Sequence, residues 1–103
     1  MPSLKGYQRK YLRGQAHALK PVVQVGQKGL TDAVIESVEE ALDVHELVKV
    51  KFVDQKEKAQ KASINEGIET RTGAEMVGMI GHTAIFFRRH SDPERRRIRV
   101  PEK

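Results

Sequence analysis

Cysteine is absent from the 103 residues, which excludes disulfides and thiolate metal sites. No apolar run approaches the roughly 20 residues that a membrane span needs. The N-terminus also lacks an apolar signal-peptide core, so the expectation is a soluble, cytoplasmic chain without a membrane partner. Aromatic residues are few: Tyr7, Tyr11, Phe52, Phe86 and Phe87, too few for base stacking to dominate any contact with nucleic acid. The histidines, at positions 17, 45, 82 and 90, have no zinc spacing. A P-loop, a nucleophile elbow and a dinucleotide fingerprint are all missing. With no nucleophile–base set and no cofactor loop, the chain reads as non-enzymatic, without metal, cofactor or small-molecule substrate.

What is present is charge, unevenly placed. The net charge is +5 and the pI about 9.7, a balance that favours an anionic partner. Residues 1–29 carry Lys5, Arg9, Lys10, Arg13, Lys20 and Lys28 with no Asp or Glu, whereas residues 30–48 carry Asp32, Glu36, Glu39, Glu40, Asp43 and Glu46 with no Lys or Arg. A second basic stretch, Arg88, Arg89, Arg95, Arg96, Arg97, Arg99 and Lys103, closes the chain. Basic ends around an acidic middle predict a polarised surface.

The chain is organised around residues 21–34. Val22, Val23 and Val25 between Pro21 and Gly26 suit a short buried strand. Gly26-Gln27-Lys28-Gly29 is a glycine-bracketed turn, and Thr31 is a good N-cap for the helix that follows, with Leu30 placed to staple onto Ile35. Amides at such a helix start suit an anion. A plain strand–turn–helix junction needs the same glycines and cap, however, and Asp32 in the first turn would repel phosphate. The turn alone leaves both readings open.

Around it, residues 3–19 read as a helix with an apolar stripe of Leu4, Tyr7, Tyr11, Leu12, Ala16 and Leu19. Lys5, Arg9, Arg13 and His17 form a second stripe, either a solvated face or a rail for a sugar–phosphate backbone. A second helix spans 31–44, its carboxylates read as an ordinary exposed face. Residues 47–53 alternate: Val48, Val50 and Phe52 on one side, Lys49 and Lys51 on a wet, basic side. The length of the strand–helix–strand unit makes its strands parallel. A thin third helix runs from about 56 to 71, then strands 74–80 and 83–88 form a hairpin around Gly81 and His82. Phe86 and Phe87 point to opposite faces, one to the core and the other toward an open side. The arginine tail, with Ile98 and Val100 as its anchors, is expected to be extended and to order on RNA.

In this order the segments Leu19-Lys20-Pro21-Val22-Val23, Gly26-Gln27-Lys28-Gly29-Leu30-Thr31, His45-Glu46-Leu47-Val48-Lys49-Val50-Lys51, Thr72-Gly73-Ala74 and Ile80-Gly81-His82-Thr83 resemble the chloroplast RNA splicing and ribosome maturation (CRM) domain in its small stand-alone bacterial form. The resemblance covers nearly the whole chain. It implies an α/β (α+β two-layer) fold: an N-terminal helix plus a β-α-β-α-β-β core with a four-stranded mixed sheet, similar to the C-terminal domain of translation initiation factor three. It also implies a G-x-x-G loop likened to that of KH domains, RNA binding, and association with ribosomal RNA in precursors of the large subunit. One departure is His82, where lysine is expected in many relatives; histidine is mostly neutral at pH 7. The third helix is also more polar than the resemblance leads one to expect.

The expectation is therefore a single domain, 1–103, with a basic tail at 91–103, monomeric when free. It would contact RNA through Gly26, Gln27, Lys28 and Gly29, with Lys5, Arg9, Arg13, Lys49, Lys51, Arg88 and Arg89 extending the footprint. The rival is an adaptor whose acidic second helix docks basic ribosomal proteins or assembly factors.

Overall fold

A computed structural model describes residues 3–102. The chain forms α1 (Gly6–Ala16), β1 (Val23–Val25), α2 (Asp32–His45), β2 (Leu47–Phe52), α3 (Lys58–Thr72), β3 (Glu75–Ile80) and β4 (Thr83–Phe87), followed by a 3-10 turn at Pro93–Arg95. The sheet order is β1-β2-β4-β3. β1 and β2 are parallel, joined by α2 as the crossover, and the other two pairings are antiparallel. This is the mixed four-stranded sheet that the resemblance implied, with the parallel pair expected from the crossover length.

α2 and α3 cover one face of the sheet. There Ile35, Val38, Leu42, Ile64 and Ile68 meet Val48, Val50, Phe52, Ala84 and Phe86 in the main core. Alternation along β2 and β4 sends the intervening residues to the other face. That face is not open. α1 lies across it, and Leu12 and Ala16 close a second core over Leu47, Val77, Ile85 and Phe87, with Val100 from the tail. Phe86 and Phe87 do point to opposite faces, as their adjacency requires, but both are buried. The missing information in the sequence was that a helix made of Leu12 and Ala16, rather than solvent, would meet the second face. The helix correspondingly rolls its tyrosines outward: Tyr7 and Tyr11, expected in the apolar stripe, are 39% and 38% exposed.

One buried residue gathers the first half of the tail. Glu46, between α2 and β2, is fully buried and holds φ at +63°, a left-handed conformation that is uncommon for a side-chain-bearing residue. Its backbone closes α2 by donating to the Leu42 carbonyl at 2.9 Å and accepts from the Arg88 amide at 2.9 Å. Its carboxylate accepts the amides of His90 (2.8 Å), Arg97 (2.5 Å) and Ile98 (3.0 Å). Residues 90–98 therefore loop around a buried anion, and Val100 drops into the second core behind them. The expectation that the tail awaits RNA for its order is replaced by this clasp.

Candidate nucleic-acid interface

The turn after β1 is small and exposed. The Gly29 amide donates to the Gly26 carbonyl at 3.0 Å, and Gly29 sits at φ +72°, where a side chain is disfavoured. Gln27 and Lys28 occupy the exposed tip. Below them, Gln55 reaches from the β2–α3 connection, and its Nε2 donates to the Gly26 carbonyl at 2.9 Å. Gln55 is buried and its Oε1 has no partner among the described residues. Nothing in the local sequence singled it out, because a glutamine in a charged connection reads as solvated.

α2 starts as expected: Thr31 Oγ1 accepts from the Val34 amide at 3.2 Å. Leu30 lies over α3, where its side chain occupies the space beside Gly67. Asp32, the first-turn acid that argued against an anion, is met by Arg71 of α3 at 2.9 Å. That pairing offsets part of its charge, although both groups are exposed and the bridge is weak.

The other predicted contacts fall into three groups. Lys51 is exposed at the end of β2, close to the turn in the fold because Val25 and Phe52 pair across β1 and β2. The Phe52 amide donates to the His82 carbonyl at 2.7 Å, so the Gly81–His82 turn joins the same end of the sheet. Exposed Lys56 and Lys58, at the entry to α3, belong to this end too, together with Asp54 and Glu57.

Four of the predicted cations are instead tied into the fold. Arg9 pairs with Glu75 at 3.2 Å and donates to the Leu4 carbonyl at 2.6 Å. Arg13 donates to the Val77 carbonyl at 2.8 Å, and its stem fills the space a side chain at Gly78 would need. The basic stripe of α1 thus braces β3, an edge strand, at an irregularity in its pairing between Met76 and Gly78. Lys49 donates to the Leu19 carbonyl at 2.8 Å, just beyond the C-terminus of α1, where a cation is favoured. Arg88 bridges Glu39 at 2.8 Å and Asp43 at 2.9 Å on α2 and donates to the Thr72 carbonyl at 2.7 Å. These contacts give Arg88 a structural task and take two acids off the face the adaptor reading required.

Lys5 and Arg89 remain exposed, at the opposite end of the sheet. They flank a cleft of about 440 Å³ with Gln8, His90 and Arg96, and Arg95, Arg97 and Arg99 stand exposed beside it. Burial pushes the Glu46 carboxyl beneath this cluster up, but the amides of His90, Arg97 and Ile98 outweigh that and hold it below the usual carboxylate range. The clasp is accordingly anionic at neutral pH.

A glycine-bracketed turn with one exposed lysine at one end, and a cluster of arginines at the other, form a surface suited to a polyanion. A family model for the CRS1 / YhbY (CRM) domain matches residues 4–88. The chain belongs to the CRM family. A CRM relative from Haemophilus influenzae, named "RNA-binding protein", is 38% identical over the full length of both chains. Another, from Bacillus subtilis, named "Probable RNA-binding protein YqeI", is 33% identical over 95% of this chain and 99% of its own. A Staphylococcus aureus protein solved in solution and described as a candidate RNA-binding protein superposes with a TM-score of 0.81, at 29% identity, over 96% of this chain and all of its own. The fold of this CRM chain is thus shared with a solved structure. The matched segment stops at Arg88, so the Glu46-clasped tail lies beyond the stretch that the family model covers.

Proposed function

We propose that this CRM-family protein is a non-catalytic RNA-binding protein, and that it binds ribosomal RNA in precursors of the large subunit and assists their assembly. The observation that carries the reading is the Gly26–Gly29 turn: an exposed turn with open space at Gly26 and Gly29, tipped by Lys28 and braced by Gln55. Such a loop lets the sugar–phosphate backbone approach main-chain amides, with Lys28 supplying charge. Lys51 extends the contact along the same end of the sheet. Lys5 and Arg89 provide a second foothold at the other end. Arg9, Arg13, Lys49 and Arg88 contribute to the field while holding the scaffold. The ribosomal assignment follows from the family resemblance of the motifs, and the names of the relatives support RNA as the partner.

Crosslinking in cells followed by mapping of the joined RNA tests it. Reads concentrated on large-subunit ribosomal RNA are expected; reads scattered over unrelated transcripts would sink the ribosomal role. Partner capture that survives complete RNA digestion would favour a protein adaptor instead.

A further inference from the structure

Between α3 and the β3–β4 hairpin lies a cleft of about 570 Å³ that the reading above leaves unused. Ala62, Met76 and Met79 form apolar walls, and Lys58 and Lys61 stand on the side of the α3 N-terminus. Asn65 also lines it. This asparagine is 5% exposed, yet its hydrogen-bonding capacity is nearly idle. Its Oδ1 has no partner among the described residues, and its Nδ2 donates only to the Met79 sulfur at 3.5 Å, a weak acceptor. A buried amide left in this state is costly, and a polar side chain with no structural partner in an apolar cleft is how small-ligand sites achieve specificity.

We propose that this cleft takes one unpaired adenine of the bound RNA. The proposal rests on the RNA-binding reading. The Gly81 wall of the cleft belongs to the same end of the sheet as the Gly26–Gly29 turn. The two are separated by two to three strand spacings, about 10–14 Å, so one strand of RNA can reach both. Exposed Lys58 at the rim suits an adjoining phosphate, whereas Lys61 is buried and Glu66 and Glu69 line the far part of the cleft. Met79 is unbranched and flexible, and its displacement opens the Asn65 amide to the base. Adenine places an amino donor beside a ring-nitrogen acceptor on both of its edges, the pattern that an asparagine amide completes with two hydrogen bonds. A purine also covers more of the methionine walls than a pyrimidine.

The test is fluorescence anisotropy with a 12-nucleotide oligouridylate, the same oligomer with one central adenine, and the same with a central abasic site. The parent should bind the adenine oligomer about tenfold more tightly than the other two. Asn65→Leu should remove that preference, leave oligouridylate affinity within about twofold and melt no lower than the parent, since it deletes an unpaired buried polar group. Ala62→Phe, at an exposed position on the cleft wall, should remove the preference by filling the space and stands in should Asn65→Leu fail to fold. Equal affinity of the parent for all three RNAs, or a preference that survives in the folded variants, overturns the adenine site. A parent that binds none of the three overturns the RNA-binding reading beneath it.

Discussion

At the scale of single residues, Glu46 holds the tail against the domain. Glu46 is buried, strained in backbone and saturated with amide donors. Removing its carboxylate leaves three amides without an acceptor, at about 1–3 kcal/mol each if they stay buried. Glu46→Ala should therefore destabilise the fold by about 3 kcal/mol and release residues 90–100, read by chemical denaturation and by faster amide exchange at Arg97 and Ile98. Its pH dependence has a definite sign. A carboxyl held below its unfolded value contributes stability that is complete above that unfolded value and lost as pH falls through the folded one. The parent should lose stability in acid below about pH 4, and Glu46→Gln should flatten that part of the profile. An unchanged acid limb in Glu46→Gln would remove the clasp from the account. Glu46 was not legible in advance: it closes a run of acids that, by composition, belongs to a solvated helix. Only the β-strand starting immediately after it hinted that it sits at a buried corner. Gln55 and Asn65 were hidden for the same reason, since local sequence does not say which polar residue tertiary packing will enclose.

At the scale of elements, periodicity in β2 and length in the β1–α2–β2 unit carried the faces of β2 and the parallel pairing, whereas the insertion of β4 between β2 and β3 was not legible. Val48, Val50 and Phe52 lie on the main core face, and the parallel pairing is as its crossover requires. Turn chemistry carried the hairpin and the start of α2. The reading of α1 was only half correct, because a helix with tyrosines on one side and arginines on another offers two plausible faces. Its true inner face is set by Leu12 and Ala16 against β4 and β3. Leu12→Ala should cost about 2–5 kcal/mol, measured by denaturant titration; a change below 1 kcal/mol would show that α1 is not docked. The arginine stripe then acts in cis. Arg13 caps a carbonyl of the edge strand β3, a position at which unpaired backbone invites association. Arg13→Ala should weaken α1 docking by about 1 kcal/mol and raise the concentration dependence of aggregation, followed by light scattering, whereas a purely RNA-contacting arginine would leave both unchanged.

At the scale of the whole molecule, the excess of positive charge is divided between two ends. Val25–Gly29, the end of β2 and the Gly81–His82 turn make one; Lys5, Arg89 and the arginines of the clasped tail make the other. Arg88 bridges Glu39 and Asp43 on α2, which spends its charge within the fold. The polarity was visible in the sequence as basic termini around an acidic middle, but which cations were free was not, since ion pairing depends on contacts distant along the chain. Under the proposed reading, RNA lying on both basic ends presents several phosphates at once. The protein's affinity for RNA should then fall by about tenfold or more between 50 and 200 mM salt.

The most direct test of the central claim is the salt dependence of RNA affinity in the parent and in Lys28→Glu, measured side by side with their thermal melts. Unchanged melting, weaker binding at every salt concentration, and a slope of log affinity against log salt that is shallower by about one or more are expected. The same affinity and the same slope in a folded Lys28→Glu protein would show that RNA does not lie on the Gly26–Gly29 turn.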